Sequence, residues 1–344
     1  MKIGTLRQTL QSLGAKHAHE NRVLRAWSQR CSLDTRRQKA ENFLPLALRE
    51  ALPDLWRELE AQISLQSEHP GDDGSARLLV RLADGQMVES VLLPRDGLCV
   101  STQVGCAVGC VFCMTGRDGL LRQLDSGEIV AQVVLARAMR TVSRVVFMGM
   151  GEPAHNLDNV LEAIQLLGTA GGIGHKDLVF STVGDLRVFS RLPKEVVKPA
   201  LALSLHSTKA NLRAELMPHA PSIPPEELVA LAEDYARATG YPIQYQWTLI
   251  EGVNDSLEEM DGIIRLLTGK YAIMNMIPYN TIDGLHFQRP ARDSADSLAA
   301  YLNKHRVLTK LRQSAGQDID GGCGQLRARA VKPSSLARIQ RSPA

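Results

Sequence analysis

Three cysteines in the stretch Gly105-Cys106-Ala107-Val108-Gly109-Cys110-Val111-Phe112-Cys113 follow the spacing Cys-x3-Cys-x2-Cys. Thiols this close in a glycine-containing loop can hold three irons of a 4Fe–4S cube and leave the fourth iron open to a small molecule. A structural zinc would want a fourth ligand, and the histidines nearest in sequence are His69 and His155. A zinc knuckle completed from a distance stays open as an alternative, whereas a disulfide with a spare thiol suits a reducing compartment poorly. The other three cysteines, Cys31, Cys99 and Cys323, stand apart. Cys323 lies in Asp318-Ile319-Asp320-Gly321-Gly322-Cys323-Gly324-Gln325-Leu326, flanked by glycines. Such a loop shields a thiol little and suits one that must visit two places. A lone cysteine in an apolar strand, like Cys99, ordinarily packs as a small hydrophobe, and Cys31 has no context that argues otherwise.

The elements that must position these thiols can be read from hydrophobic patterning. The 344 residues are 44% hydrophobic and 22% charged, enough for a large core and too apolar for global disorder. That length allows two or three domains, or one barrel with an appendage. From residue 98 onward, strand-like runs at 98–104, 144–150, 177–183, 197–205, 242–250 and 271–280 alternate with helical stretches near 126–140, 157–169, 225–238, 256–268 and 293–307. Six β/α repeats with right-handed crossovers predict an α/β fold, a parallel sheet curved toward a barrel, with chemistry at the C-terminal ends of its strands. Ahead of it, residues 1–66 read as helical, with a short helix starting at Pro53. Ser67–Ser75 reads as a turn-rich linker, and the runs 76–82 and 86–93 as a hairpin around Asp84-Gly85. The expected organisation is a helical accessory domain over 1–70, a linker and β-hairpin over 71–97, the barrel with its cysteine loop over 98–326, and a tail over 327–344.

Polar residues fall where strands should end. They are Gly149-Met150-Gly151-Glu152-Pro153, Phe180-Ser181-Thr182, Ser204-Leu205-His206-Ser207 and Ile277-Pro278-Tyr279-Asn280. Taken singly, each reads as an ordinary turn or helix cap. Taken with Cys106, Cys110, Cys113 and the aromatic Phe112, they resemble the radical S-adenosylmethionine (SAM) superfamily. The resemblance is to its RlmN/Cfr adenine methyltransferases, whose Asp-Ile-Asp-x-x-Cys-Gly-Gln-Leu signature stands here at 318–326. It implies a partial (β/α)6 radical SAM barrel with a small N-terminal helical accessory domain and a β-hairpin extension. It implies one 4Fe–4S cluster on the three cysteines. It implies SAM contacts from Gly151, Glu152, Ser181, Ser204, Leu205, His206 and Asn280. In that family the cysteine matching Cys323 is methylated, the one matching Cys99 is catalytic, and the position of Glu89 is a proton acceptor.

The same resemblance implies a methyltransferase that uses two SAM molecules per turnover and acts on a ring carbon of adenine, C2 favoured over C8. Its expected partner is RNA, rRNA and/or tRNA, rather than DNA. A reductase or electron donor such as flavodoxin is implied, and the Cys99–Cys323 disulfide left by each turnover must be reduced. Departures stand at Met114, at Val183 and in Asp118–Gln123. Another radical SAM enzyme, such as a glycyl-radical activase or peptide modifier, has no need of the Cys99/Cys323 pair. A non-enzymatic iron–sulfur or zinc RNA-binding protein would bind RNA without cleaving SAM.

Net charge, +3, at first argues against a nucleic-acid partner. Residues 1–40 are +7, however, and residues 321–344 are +5, which leaves −9 between them. Basic ends on an acidic body can track a phosphate backbone, and can equally be a solvated helix face and a frayed tail. No apolar run is long enough to span a membrane and the N-terminus has no secretory h-region, so a cytoplasmic protein without a membrane partner is expected.

Overall fold

The computed structural model describes residues 1–282 and 284–328. Most of the basic tail therefore lies outside the described residues. Three helices come first: α1 (Ile3–Ser12), α2 (His17–Gln29) and α3 (Leu46–Ala61). Leu6, Leu10, Val23, Leu24 and Trp27 recur at helical spacing and all are buried. α3 begins at Leu46, seven residues before the proline expected to start it. Pro53 sits inside the helix and forfeits one main-chain hydrogen bond. Burial of Leu48, Leu52, Leu55 and Leu59 along one face offsets that loss.

The expected helix end and linker are instead a strand, β1 (Ile63–Pro70), paired antiparallel with β2 (Ala76–Leu82). The turn-rich reading survives only at 71–75. Long-range pairing with residues already in a hairpin decides the rest, and local composition does not carry that. β2 turns through Gly85, at φ +86°, into β3 (Met87–Leu93). The run 98–104 divides into β4 (Gly97–Cys99) and β5 (Gln103–Gly105), and β5 pairs with β6 (Leu120–Gln123) in a separate two-stranded sheet.

Alternation then proceeds as patterned: α4 (Ser126–Met139), β7 (Arg144–Phe147), α5 (Leu157–Gly168), β8 (Leu178–Thr182), α6 (Leu186–Arg191) and β9 (Ala200–Ser204). It continues through α7 (Ala210–Leu216), α8 (Pro225–Thr239), β10 (Ile243–Leu249), α9 (Leu257–Leu267), β11 (Ala272–Pro278), α10 (Arg292–Lys304) and β12 (Thr309–Leu311). The main sheet has ten strands in the order β1-β2-β3-β4-β7-β8-β9-β10-β11-β12. The first four are antiparallel neighbours, and every pairing from β4 to β12 is parallel. The fold is the expected α/β partial barrel, with a seventh parallel strand, β12, that three residues were too short to announce.

The N-terminal helices share one apolar core with the barrel; Leu10, Leu24 and Leu48 belong to the same packed cluster as Ile129, Phe147 and Trp247. Main-chain contacts tie them down. Ile3 N–H donates to Ser126 Oγ at 2.9 Å, and Arg137 donates to the Ser28 carbonyl at 2.6 Å. After β12 the chain leaves one end of the sheet order and reaches back to β2 and β3 at the other. That returning segment carries Cys323.

Candidate active site

One cavity opens among the strand ends. It is lined by the three clustered cysteines, by Gly151 and Glu152 after β7, by Ser181 on β8, by Ser204 and His206 at the end of β9, and by Cys323 with Gly324. Parallel strands deliver these residues to one place because their C-terminal ends all face the same way. Leu205, Asn280, Glu89 and Cys99 do not line it. The Leu205 side chain is core and its N–H donates to the Gln246 carbonyl at 3.0 Å.

The cysteine loop starts from Gly105, which has φ +79° and approaches the Gly119 carbonyl so closely that a Cβ there would lie 2.0 Å from the oxygen. Cys106 N–H donates to that same carbonyl at 3.0 Å, closing the loop at its base. Burial pushes the Cys106 thiol up to about 12 and the Cys110 and Cys113 thiols upward as well, and Cys106 and Cys113 both oppose ionisation of Cys110. Three thiols crowded in a low-dielectric cavity can become thiolates only if a cationic group is held among them. The donor set thus fits an iron–sulfur cluster with one iron left free of protein ligands.

Glu152 caps the turn after β7. Its carboxylate accepts Ala154 N–H at 3.1 Å and Val183 N–H at 3.0 Å, and burial pushes it up to about 7. Val183 thus serves through its main chain, which explains why an apolar residue is tolerated there. Gly151, at φ +105°, packs where a side chain would strike Gln103. His206 also takes positive φ, +59°. Its Nδ1 accepts Thr248 N–H at 2.9 Å, which leaves Nε2 to carry the proton, and its ring meets Phe112 edge-on at 4.9 Å. Burial, reinforced by Arg213, pulls its pKa down to about 3, so the imidazole is neutral.

The Cys323 loop docks directly on the cysteine loop. Met114 N–H donates to the Gly324 carbonyl at 2.7 Å, and Thr115 Oγ1 donates to the Leu326 carbonyl at 2.7 Å. Met114, a departure in sequence, is built into that contact. Asn280 Nδ2 donates to the Cys323 carbonyl and to Ser314 Oγ, both at 2.9 Å. Cys323 lines the cavity and is exposed, whereas Cys99 is buried. Burial pushes Cys99 up to about 12, and Cys323 is near enough to push it further. Cys113 acts on Cys323 in the same sense. Cys323 therefore lies near both Cys113 and Cys99. Cys31 is exposed on the N-terminal helical region, away from this site.

Three further residues support the site. Arg213 on α7 is buried and donates to the Val183 and Ser204 carbonyls beside Cys110 and Glu152. Asn254, in the turn after β10, is fully buried. It accepts Ile250 N–H and donates to the His206 and Thr248 carbonyls, each at 2.8 Å, while Ser256 caps α9. Arg77 on β2 pairs with Glu89 on β3. Nothing in the type or spacing of an isolated arginine distinguishes Arg77 or Arg213 from surface residues.

Comparison with known proteins gives matches over nearly the whole chain. A family model described as the radical SAM superfamily matches residues 100–267. A probable RNA methyltransferase of Azoarcus sp. (strain BH72) is 74% identical over 342 residues, 99% of each chain. One from Methylibium petroleiphilum is 69% identical over 99% of this chain and 96% of its own. Among solved structures, a radical SAM methyltransferase from Sphaerobacter thermophilus superposes with a TM-score of 0.83 at 34% identity, over 96% of this chain and 98% of that one.

Proposed function

This chain belongs to the radical SAM superfamily and to the family of these methyltransferase relatives, and from that premise we propose that it methylates a ring carbon of adenine in RNA, C2 in preference to C8. It is a SAM-dependent enzyme. The observation that carries the finer reading is Cys323, exposed in the cavity beside Cys113 and near enough to Cys99 to act on its thiol. Ring carbons C2 and C8 are not nucleophilic, so direct attack on a SAM methyl is closed to them.

Cys106, Cys110 and Cys113 would hold the 4Fe–4S cluster, which supplies the electron for reductive cleavage of SAM. Glu152 would accept hydrogen bonds from the SAM ammonium, and Ser181, Ser204 and His206 would fix the rest of the molecule. Cys323 first takes a methyl on its sulfur from one SAM. The Cys323 S-methyl group would then give up a hydrogen atom to the radical chemistry that the cluster and a second SAM would supply, and its carbon would bond to the base. Glu89 or Cys99 takes the proton lost from the ring carbon. The Cys99 thiolate attacks the Cys323 sulfur: the S–S bond forms as the Cys323 S–CH2 bond breaks, the released CH2 takes a proton to become the methyl group, and the surplus electron of the radical adduct would return to the cluster. An external donor such as flavodoxin restores both the electron and the thiols.

The substrate base must leave its stack to reach the cavity, which favours loops or strained single strands of rRNA or tRNA. The relatives' names as probable RNA methyltransferases and the basic N-terminal helices support RNA as the partner.

The test is anaerobic reconstitution with methyl-labelled SAM and RNA, followed by nucleoside analysis against C2- and C8-methyladenosine standards. Label in one of these supports the reading. Deoxyadenosine without RNA methylation points to another radical SAM activity. Cys323→Ala is expected to abolish transfer of methyl to RNA, and Cys99→Ala to accumulate protein–RNA crosslinks. Continued turnover by the first variant, or clean product release by the second, removes that thiol from the scheme.

A further inference from the structure

We propose that Arg77 is a positioning residue: with Glu89 it forms a buried latch that clamps both arms of the Cys323 loop and confines its motion to the glycine-rich tip. The inference rests on the reading of Cys323 as the methyl carrier.

Arg77 and Glu89 lie on adjacent antiparallel strands, each 1% exposed, and form an ion pair. Burying such a pair costs several kcal/mol per ion, and apolar side chains would hold two strands together at least as well. Two further hydrogen bonds of this pair reach the thiol loop. Arg77 Nε–H donates to the Ile319 carbonyl at 2.7 Å, and Glu89 Oε2 accepts Arg327 N–H at 2.8 Å. Ile319 precedes Cys323 by four residues and Arg327 follows it by four. One ion pair therefore grips the incoming and the outgoing arm. The neighbouring turn adds to the incoming grip, since Asp73 accepts Gly316 N–H and Asp318 accepts Asp72 N–H, both at 3.0 Å.

Between the clamped arms stand Gly321, Gly322 and Gly324, the last at φ +84°. The tip's own contacts are of another kind: Met114 and Asn280 hold it through single main-chain carbonyls. A thiol that must meet SAM, substrate and Cys99 in turn needs a mobile tip on fixed arms, and this arrangement supplies both. Glu89 sits in the latch and outside the cavity, so a proton reaches it only if the latch opens.

The experiment uses the full chain with its cluster reconstituted and three variants: Arg77→Lys, Arg77→Met and Arg77→Met/Glu89→Gln. The double variant removes the unpaired buried charge that Arg77→Met leaves behind. Two quantities are read: the rate of iodoacetamide alkylation at Cys323, and the ratio of methylated adenosine to 5′-deoxyadenosine. The expected result for both Met-bearing variants is alkylation at least tenfold faster and a ratio at least tenfold lower, with iron content retained. Arg77→Lys recovers part of each. The proposal is overturned if the double variant stays within twofold of wild type on both quantities. It is also overturned if that variant loses iron or fails to fold, which would make the pair a determinant of the fold as a whole. Should the wild type yield no methylated adenosine, the RNA reading falls, and the alkylation rate alone still decides the latch.

Discussion

Glu152 and His206 are both buried at the cavity and are displaced in opposite senses, the carboxylate up to about 7 and the imidazole down to about 3. For Glu152, burial favours the protonated form. Its contribution to stability is complete below the ordinary carboxyl value of 4.5 and is lost as pH rises through about 7. For His206 the neutral form is favoured, so stability is complete above 6.5 and is lost as pH falls through about 3. In the metal-free protein, the unfolding free energy of Glu152→Gln should therefore gain on wild type between pH 4.5 and 7, by on the order of 3 kcal/mol, and run parallel above that. Urea denaturation at several pH values reads this directly, and a constant difference would mean that Glu152 is ionised throughout. Both residues were legible in the sequence because they follow strands at the expected spacing. The protonation states were not, since they depend on how much protein closes over each group.

Elements matter here through what they deliver. The parallel strands β7 to β11 were readable because each is a buried apolar run followed by a helical pattern. β1 was not, because its pairing partner, and not its own composition, makes it a strand. Two backbone devices hold the delivered loops. Gly105→Ala would force a Cβ onto the Gly119 carbonyl at a position that also demands φ +79°. Its expected outcome is a folded protein by circular dichroism that binds well under half of the roughly four irons a full cluster contains. Asn254→Ala removes three buried hydrogen bonds that join the ends of β9 and β10. A loss of about 3 kcal/mol in denaturant unfolding is expected. An isosteric Asn254→Asp change should not restore it, because the carboxylate cannot donate to the two carbonyls.

At the scale of the whole molecule, charge separates from chemistry. Some of the N-terminal cations are spent internally: Arg7 on Glu20, Lys39 on Asp34, and Arg22 on the Leu33 and Gln38 carbonyls and the face of Phe43. Arg36 and Arg37 are exposed. Replacing both with alanine should weaken RNA binding and reduce the slope of log affinity against log salt by about 1 to 2. A filter-binding titration across salt concentrations checks it, and an unchanged slope would exclude this segment from the phosphate contacts. No helix among the described residues is long and apolar enough to cross a membrane. The cysteine spacing, the order of β/α units and the glycine-flanked Cys323 are local patterns, encoded by residue type and period and so readable before any fold is known. That the segment after β12 returns across the sheet, that Cys323 comes near both Cys113 and Cys99, and that Arg77 and Glu89 grip both arms of its loop follows from the three-dimensional fold alone. Those facts join residues more than 200 positions apart, and such contacts follow from packing and pairing in three dimensions that no local pattern records.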